Sequence, residues 1–143
     1  MQMAVLSAEE TLDPRSASNV ISAPRRPVTH PLQFAGPGAY ASALPGSGCG
    51  VVFEDDGQAG YLYVTNETHT YVFDTLLLYD RGSHNQLFPG EHAAIVWNQK
   101  QKRAGLFYHH AFQAAVDFAN RRAICRTGAG AHAWDDELIE GLE

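Results

Sequence analysis

Three consecutive acids, Glu54, Asp55 and Asp56, are the residues whose type and spacing first suggest chemistry. Neighbouring carboxylates can bind a metal ion or act as general acid and base. Successive side chains of a strand point to opposite faces, so three neighbours converge only in a bent loop. A calcium loop also requires further oxygen ligands, which are absent here. Because Gly57 makes Asp-Gly, a strong hairpin signal, we predict that these acids shape a turn, with contact to a basic partner as the alternative.

Histidines and cysteines are the next candidates for metal or redox chemistry. None of the histidines forms HExxH or a zinc-finger spacing, and we predict no histidine metal site. Cys49 and Cys125 have no metal-ligand spacing, and two cysteines are too few for a secreted disulfide scaffold. We expect both thiols to be reduced and buried. A disulfide between the two cysteines is possible only if their strands are neighbours. The histidines are His30, His69, His84, His92, His109, His110 and His132.

Nucleophilic catalysis needs a nucleophile with a base close to it. Ser47 lies in Gly-Ser-Gly, which is a turn by composition, and no GxSxG motif is present. Gly46, Gly48 and Gly50 precede a predicted strand rather than a helix, so phosphate binding is poorly supported. The sequence therefore predicts no catalytic residues, no bound cofactor and no enzyme activity.

The charge and length of the chain narrow the classes of partner. The chain has 143 residues, a formal net charge of -6 and a sequence pI of about 5.6. One domain is expected at this length. The acidic balance argues against general nucleic-acid binding and suits a basic protein partner. We also expect a cytoplasmic location without membrane contact, because neither a signal peptide nor a run of about 18 apolar residues is evident.

Extended segments must position these residues. Residues 48–66 are typical of strand, tight turn and strand, and this hairpin is expected to seed an antiparallel sheet. Further strands are predicted at residues 39–44, 71–79, 93–97, 103–108, 112–118 and 123–126. The segment 71–79 is apolar on both faces, which predicts a central strand covered on both sides. A helical turn around residues 74–77 is the competing interpretation.

The two ends of the chain are predicted to differ from the middle. Residues 133–142 are the best helix prediction, because Trp134, Leu138 and Leu142 are spaced by four. Residues 1–30 contain several prolines and are expected to form a poorly ordered arm before a single β-rich domain at 31–143. The fold class expected is mainly β (α+β): a single antiparallel, meander-like sheet or a small β-sandwich, with a short C-terminal helix.

Four arginines near the predicted last strands are expected to pair with the acidic C-terminal segment. These are Arg103, Arg121, Arg122 and Arg126. The segment 129–143 carries acids and no Lys or Arg. An acidic, exposed helix is also a plausible face for a basic enzyme or toxin, because complementary charge steers encounter.

Three motifs resemble one known family. They are EDDGxxGY at residues 54–61, CRTG at 125–128 and HAWDD at 132–136. In this order, over about residues 33–142, the chain resembles the bacterial domain-of-unknown-function family 2251. The resemblance implies a single domain in a small, cytoplasmic-type bacterial protein, and it supplies no catalytic residues.

We therefore expect a non-catalytic protein-binding domain, of the immunity type that inhibits a basic bacterial toxin or effector. The expected partner contacts are Glu54, Asp55, Asp56, Trp134, Asp135, Asp136, Glu137 and Glu140. The alternative is a small-molecule-binding domain or an enzyme with an unrecognised site. Its pocket would be lined by Tyr61, Tyr63, Trp97, His110 and Arg126. A homodimer through an exposed strand edge is a third hypothesis, and the sequence does not give the strand order.

Overall fold

Alternating apolar residues and turn formers give nine β-strands in the computed structural model, which describes residues 26–80, 82 and 92–143. Two short 3₁₀ turns follow the last strand, at Gly130–His132 and Asp136–Ile139. The strands are β1 (Val28–Pro31), β2 (Gly38–Leu44), β3 (Cys49–Asp55), β4 (Ala59–Thr65), β5 (Val72–Asp80), β6 (Ala94–Asn98), β7 (Arg103–Tyr108), β8 (Ala111–Asp117) and β9 (Arg122–Cys125).

The strands form two antiparallel sheets. One has five strands in the order β1-β6-β7-β8-β9, and the other has four in the order β2-β3-β4-β5. Side chains from both sheets belong to one buried core, which includes Phe53, Leu76, Trp97 and Leu106. The fold is therefore mainly β and has the sandwich arrangement, rather than one continuous meander.

The Asp-Gly hairpin predicted from the sequence joins β3 to β4. Gly57 has φ +93°, a conformation that glycine adopts without a steric penalty. One carboxylate oxygen of Asp56 accepts hydrogen bonds from the backbone N–H groups of Gln58 and Ala59, both at 2.8 Å. Asp56, and Asp55 through the Gly57 N–H at 2.7 Å, thus have the predicted turn-forming role, whereas Glu54 accepts a hydrogen bond from Tyr63 instead.

Two histidines form the tight turn between β7 and β8. His109 has φ +52° and His110 has φ +63°, the pattern of a type I′ turn. This turn matches the twist of the paired strands and usually contains Asn or Gly. The pair therefore has a backbone role at this turn.

β5 is an edge strand, so the prediction of a central strand covered on both sides is wrong, as is the competing helical turn. Leu76 and Leu78 face the core, whereas Phe73 is 61% exposed and Leu77 is 45% exposed. A continuous apolar run is compatible with a strand that is buried on both faces. It is equally compatible with a strand that is buried on one face and exposes apolar side chains on the other. The outer face here is open to solvent because no described element packs on it.

The first described strand overlaps the end of the predicted arm. Val28–Pro31 form β1 and pair with β6, and the N–H of Leu32 donates to the carbonyl of Ala93 at 2.9 Å. Pro31 fits at the end of an edge strand because it has no N–H to pair. Residues 1–25 of the predicted arm lie outside the described residues.

The predicted C-terminal helix is present as the 3₁₀ turn Asp136–Ile139, which is shorter than residues 133–142. Leu138, Ile139 and Leu142 pack on the outer face of the five-stranded sheet, in a second buried cluster with Phe112 and Ile124. The apolar spacing read from the sequence therefore marks the buried side correctly. Gly141, at φ +87°, ends the helical turn.

The two cysteines are buried and free. Cys49 begins β3 and Cys125 ends β9, so they lie in different sheets. The expectation of reduced, buried thiols is confirmed, and the condition for a disulfide, neighbouring strands, is not met.

Candidate functional site

The outer face of the four-stranded sheet combines exposed apolar side chains with negative charge. Strand pairing aligns two rows of residues across it, Ala41, Val52, Tyr63 and Thr75 in one, and Ala39, Glu54, Tyr61 and Leu77 in the other. The C-terminal segment covers the outer face of the five-stranded sheet, whereas this one remains exposed. We call it the open face and define it by Val52, Glu54, Tyr61, Tyr63, Thr75 and Leu77.

Aromatic rings dominate the open face. The rings of Tyr61 and Tyr63 stack on it with centroids 6.1 Å apart. Those of Tyr71 and Phe73, at the end of the sheet beside this face, are 4.9 Å apart. Five large hydrophobic residues are exposed in the described ranges, and four of them lie at residues 71–77. A cluster of exposed apolar residues on one strand marks an interaction site more often than scattered ones do.

The charge on this half of the molecule has one sign. Residues 27–80 contain six acids and no Lys or Arg. The described cations belong to the other parts of the fold: Arg26, Lys100, Lys102, Arg103, Arg121, Arg122 and Arg126. The four-stranded sheet therefore presents an anionic surface, and its potential favours a positively charged partner.

Glu54 and Tyr63 form a fixed polar pair on the open face. The Tyr63 hydroxyl donates to a Glu54 carboxylate oxygen at 2.6 Å, across neighbouring strands. This hydrogen bond, with partial burial, raises the pKa of Tyr63 to about 12. The phenol therefore stays protonated at neutral pH, and it orients a carboxylate beside two aromatic rings. Rings and a carboxylate in this arrangement suit a cationic side chain.

A second carboxylate is held at one end of the same sheet. Glu67 accepts the backbone N–H groups of Gly46 and Gly48, each at 2.9 Å. These bonds tie the loop after β4 to the turn before β3, and they lower the pKa of Glu67. The carboxylate is therefore ionised at neutral pH and adds to the negative charge of the four-stranded sheet.

The edge of β5 is partly closed, in contrast to its face. The backbone N–H of Thr75 donates to the Asp74 carboxylate at 2.8 Å. The carbonyl of Leu77 accepts from the Thr127 hydroxyl and from the Cys125 thiol. His132 lies 3.3 Å from Asp74 on the same edge. Because edge groups that are already paired do not template a new strand, these contacts favour docking on the face over pairing at the edge.

The three acids at the β3–β4 hairpin are separated by the structure. Asp55 is only 1% exposed and accepts the Tyr79 hydroxyl at 2.7 Å and the Gly57 N–H at 2.7 Å. Asp56 is exposed and organises the turn. Glu54 alone of the three lies on the open face, because side chains alternate along β3.

The predicted C-terminal contact residues lie on the other side of the molecule. Trp134 is half-buried beneath the guanidinium of Arg126, 3.6 Å from its ring centroid, and its indole N–H donates to Asp136 at 2.8 Å. Asp135 accepts from Arg122 at 2.8 Å and from the N–H of Glu137 at 3.0 Å. These hydrogen bonds lower the pKa of Asp135.

Arginines hold this segment on the five-stranded sheet, although among the described residues only Arg122 forms the predicted ion pair with one of its acids. Arg103 donates to the backbone carbonyls of Glu137 and Glu140, at 2.9 and 3.2 Å, and approaches Asp117 at 3.4 Å. Arg121 has no side-chain contact of this kind within the described ranges. The side chains of Glu137 and Glu140 belong to exposed residues, which extend a second acidic surface.

The two groups of predicted contact residues do not converge. Cys49, at the start of β3, and Arg122 line the same cleft, and Arg122 binds Asp135. Asp55 lies six residues further along β3, which at about 3.3 Å per residue is roughly 20 Å away. A single small partner surface therefore meets one group or the other.

The alternative pocket proposed from the sequence does not assemble. Tyr61 and Tyr63 lie on the open face, and Trp97 is buried in the core, where its indole N–H donates to Ser42 at 2.8 Å. His110 and Arg126 lie beside the outer groove of the five-stranded sheet. Within residues 26–80, 82 and 92–143, no three His, Cys, Asp or Glu side chains are grouped to hold a metal ion. His84 lies outside these ranges.

Phe73, Thr75 and Leu77 are functional candidates that the sequence reasoning missed. The apolar run that contains them predicts a buried strand, and their exposure depends on which face of the sheet is covered. The absence of Lys and Arg from residues 27–80 was visible in the sequence and would have separated an anionic half from the rest.

Comparison with known proteins identifies one family and no characterised relative. A family model described as "Uncharacterized protein conserved in bacteria (DUF2251)" matches residues 35–142. No curated protein matches the chain, and no solved structure matches it. In the part of the chain that the structure describes, no helix has the length and apolar character needed to cross a membrane.

Proposed function

The chain belongs to DUF2251, a family of uncharacterized proteins conserved in bacteria, and we propose that it is a non-catalytic domain that binds a basic protein. The observation that carries the proposal is the coincidence of exposed aromatic residues and exclusively negative charge on the open face. Aromatic anchors dominate binding energy at protein interfaces, and complementary charge accelerates and orients encounter.

The dimensions of the open face are compatible with the centre of a protein interface. Four strands spaced by about 4.8 Å and seven residues long make a patch of roughly 19 by 23 Å. A stable interface buries about 800 Å² on each partner, which is roughly twice this patch. The partner would therefore also contact the flanking loops, including the one that carries Glu67.

We propose an immunity-type role, in which the partner is a basic bacterial toxin or effector that the bound domain blocks. The net charge of -6 and the anionic half of the molecule support this class. Inhibitors of this kind act by occupying a surface and need no reacting groups of their own. An open sheet face that is rigid on its core side suits such a role, because little ordering is required on binding.

Leu77→Arg is the variant that tests the open face. Leu77 is exposed, so the substitution leaves the core intact, and it places a cation where a cationic partner would dock. Val28→Arg is the matched control, because Val28 is 41% exposed on the first strand of the other sheet. We expect at least about 100-fold weaker binding for Leu77→Arg and unchanged binding for Val28→Arg.

The partner is found by incorporating a photo-crosslinking residue at Thr75 and testing the product of the adjacent gene first. The purified partner is then titrated with the two variants by calorimetry, and its toxicity is measured on co-expression. If the Leu77→Arg variant and the parent chain bind the partner equally, the open face is not the binding site. Loss of binding on charge reversal of Asp136 and Glu140 alone would place the contact on the C-terminal acids instead.

A stoichiometric partner that does not inhibit growth would retain the binding function and remove the immunity role. Purified candidates that all fail to bind the parent chain would count against both. These outcomes distinguish the proposal that the domain binds a protein from the proposal that it acts as an immunity protein.

A further inference from the structure

A cleft opens between the two sheets at one end of the sandwich, away from the β3–β4 hairpin. Its volume is about 510 Å³, within the range of pockets that enclose a small molecule. The N-terminal end of β3 and the β8–β9 turn contribute to it. The cleft therefore lies where the two halves of the molecule, with their different charges, meet.

The floor of the cleft is apolar and its upper walls are aromatic. Val64, Val116 and Ala123 line the floor, and each is at most 5% exposed. Tyr71 and Phe73 line one wall with rings that contact each other and remain more than half exposed. A flat ring placed against this wall and over the floor would exchange water for apolar and aromatic surface.

Cations surround the rim of the cleft on the side of the five-stranded sheet. Arg121 and Arg122 line it directly. The N–H of Phe118 donates to the carbonyl of Lys102 at 3.0 Å, which brings the β6–β7 turn beside the β8–β9 turn. This end of the five-stranded sheet therefore carries Lys100, Lys102, Arg103, Arg121 and Arg122.

The carboxylates at the rim are already engaged. Asp117 accepts from the side chain of Asn120 at 2.9 Å and lies 3.4 Å from Arg103. Asp74 accepts the Thr75 N–H and faces His132. Arg122 is bound to Asp135, so Arg121 is the rim guanidinium without a side-chain partner in the described ranges. Arg121 is therefore the cation at this rim that is placed to meet the anionic group of a ligand.

We propose that this cleft binds an organic acid in which an aromatic ring is joined to a carboxylate. The ring packs against the wall formed by Tyr71 and Phe73, over the apolar floor, and the carboxylate meets the guanidinium of Arg121. A planar guanidinium is suited to bidentate binding of a carboxylate. The proposal does not depend on the protein-binding role, because the cleft and the open face are lined by different residues.

Three probes test the chemical class: 3-phenylpropionate, its neutral amide, and acetate. Binding is followed by protein-detected NMR, with the backbone signals of Gly48 and Ala123 as reporters of the cleft. We expect 3-phenylpropionate to bind with a Kd on the order of a millimolar or below, as for a ligand of about ten heavy atoms. The amide and acetate are each expected to bind about tenfold more weakly.

Equal binding of the amide would overturn the assignment of an anion site. Equal binding of acetate would overturn the role of the ring. Signal changes confined to another part of the protein, or none with any probe up to its solubility limit, would overturn the site itself.

Two charge reversals locate the carboxylate. R121E is expected to weaken binding of 3-phenylpropionate about tenfold, because it replaces the donor with a repelling group. K100E makes the same charge change at the same end of the sheet, outside the cleft lining, and is expected to alter the Kd less than about twofold. Both residues are exposed, so neither variant disturbs the core. Equal losses in R121E and K100E would show non-specific attraction and would overturn the proposal.

Discussion

Two buried tyrosines occupy opposite polar environments. The hydroxyl of Tyr79 donates to the buried carboxylate of Asp55 at 2.7 Å. The hydroxyl of Tyr108 is buried without a hydrogen-bond partner among the described residues, and this burial raises its pKa. A buried polar group without a hydrogen-bond partner destabilises the folded state. A buried pair destabilises it mainly when one partner is removed and the other is left unpaired.

Conservative removal of these hydroxyls should therefore have different effects. We expect Tyr79→Phe to lower the free energy of unfolding by about 1–3 kcal/mol, because Asp55 loses a donor. We expect Tyr108→Phe to leave it unchanged or to raise it by up to about 1 kcal/mol. Urea unfolding of both variants measures the free energy of unfolding. An equal loss of stability in the two variants would mean that the Tyr108 hydroxyl also has a hydrogen-bond partner.

Glu67 gives the stability of the fold a predictable pH dependence. The folded state lowers its pKa below the ordinary value of 4.5 through the N–H groups of Gly48 and Gly46. A carboxyl with a lowered pKa contributes stability that is present above its unfolded pKa and lost as pH falls through the folded one.

Glu67→Gln is therefore expected to be less stable than the parent chain at pH 7. The difference should shrink below pH 4.5 and vanish once the parent carboxyl is protonated. Thermal unfolding at several pH values measures the difference. Glu140→Gln, at an exposed position, is the control. A difference for Glu67→Gln that stays constant with pH would assign its effect to packing.

The elements differ chiefly in which of their faces is covered. Leu138, 2% exposed, and Leu77, 45% exposed, are the same residue type on the outer sides of opposite sheets. Residues 136–142 provide the five-stranded sheet with a cover, held by Arg103 and Arg122. The four-stranded sheet has no equivalent in the described chain.

Leucine-to-alanine variants measure that asymmetry. Leu138→Ala is expected to lower the free energy of unfolding by about 2–4 kcal/mol, because it removes buried methyl groups. Leu77→Ala is expected to change it by no more than about 0.5 kcal/mol. Chemical denaturation provides both values. A large loss for Leu77→Ala would mean that another part of the chain covers the open face.

Over the whole molecule, charge is divided between the two sheets. Residues 27–80 contain six acids and no Lys or Arg, whereas several cations lie in the β6–β7 and β8–β9 turns. The division supports a basic protein partner at the open face and an anionic ligand at the cleft.

The association rate with a basic partner should consequently depend on salt. Raising the salt from about 0.05 to 0.5 M is expected to slow association by about tenfold or more, with a smaller change in dissociation. Stopped-flow mixing gives both rates. Glu54→Gln should reduce the salt dependence and Glu143→Gln should not. An association rate independent of salt would contradict electrostatic steering.

Local sequence determined most of the strands and turns of this protein. Alternation predicted β8, Asp-Gly predicted the β3–β4 hairpin, and spacing by four predicted the buried side of residues 138–142. Each of these depends on neighbours within a few residues. The position of β1 was missed because Val28–Pro31 is short and forms a strand only by pairing with β6, far along the chain.

Only the tertiary structure decided which surfaces are exposed. Leu77 lies in a segment with the composition of a core strand, and it faces solvent because no described element covers the outer side of β5. The separation of Glu54 from Asp135 and the cleft beside Arg121 likewise follow from how two sheets pack. Burial is a property of contacts between residues distant in sequence, so local pattern determines which segments form strands and long-range packing determines what those strands present.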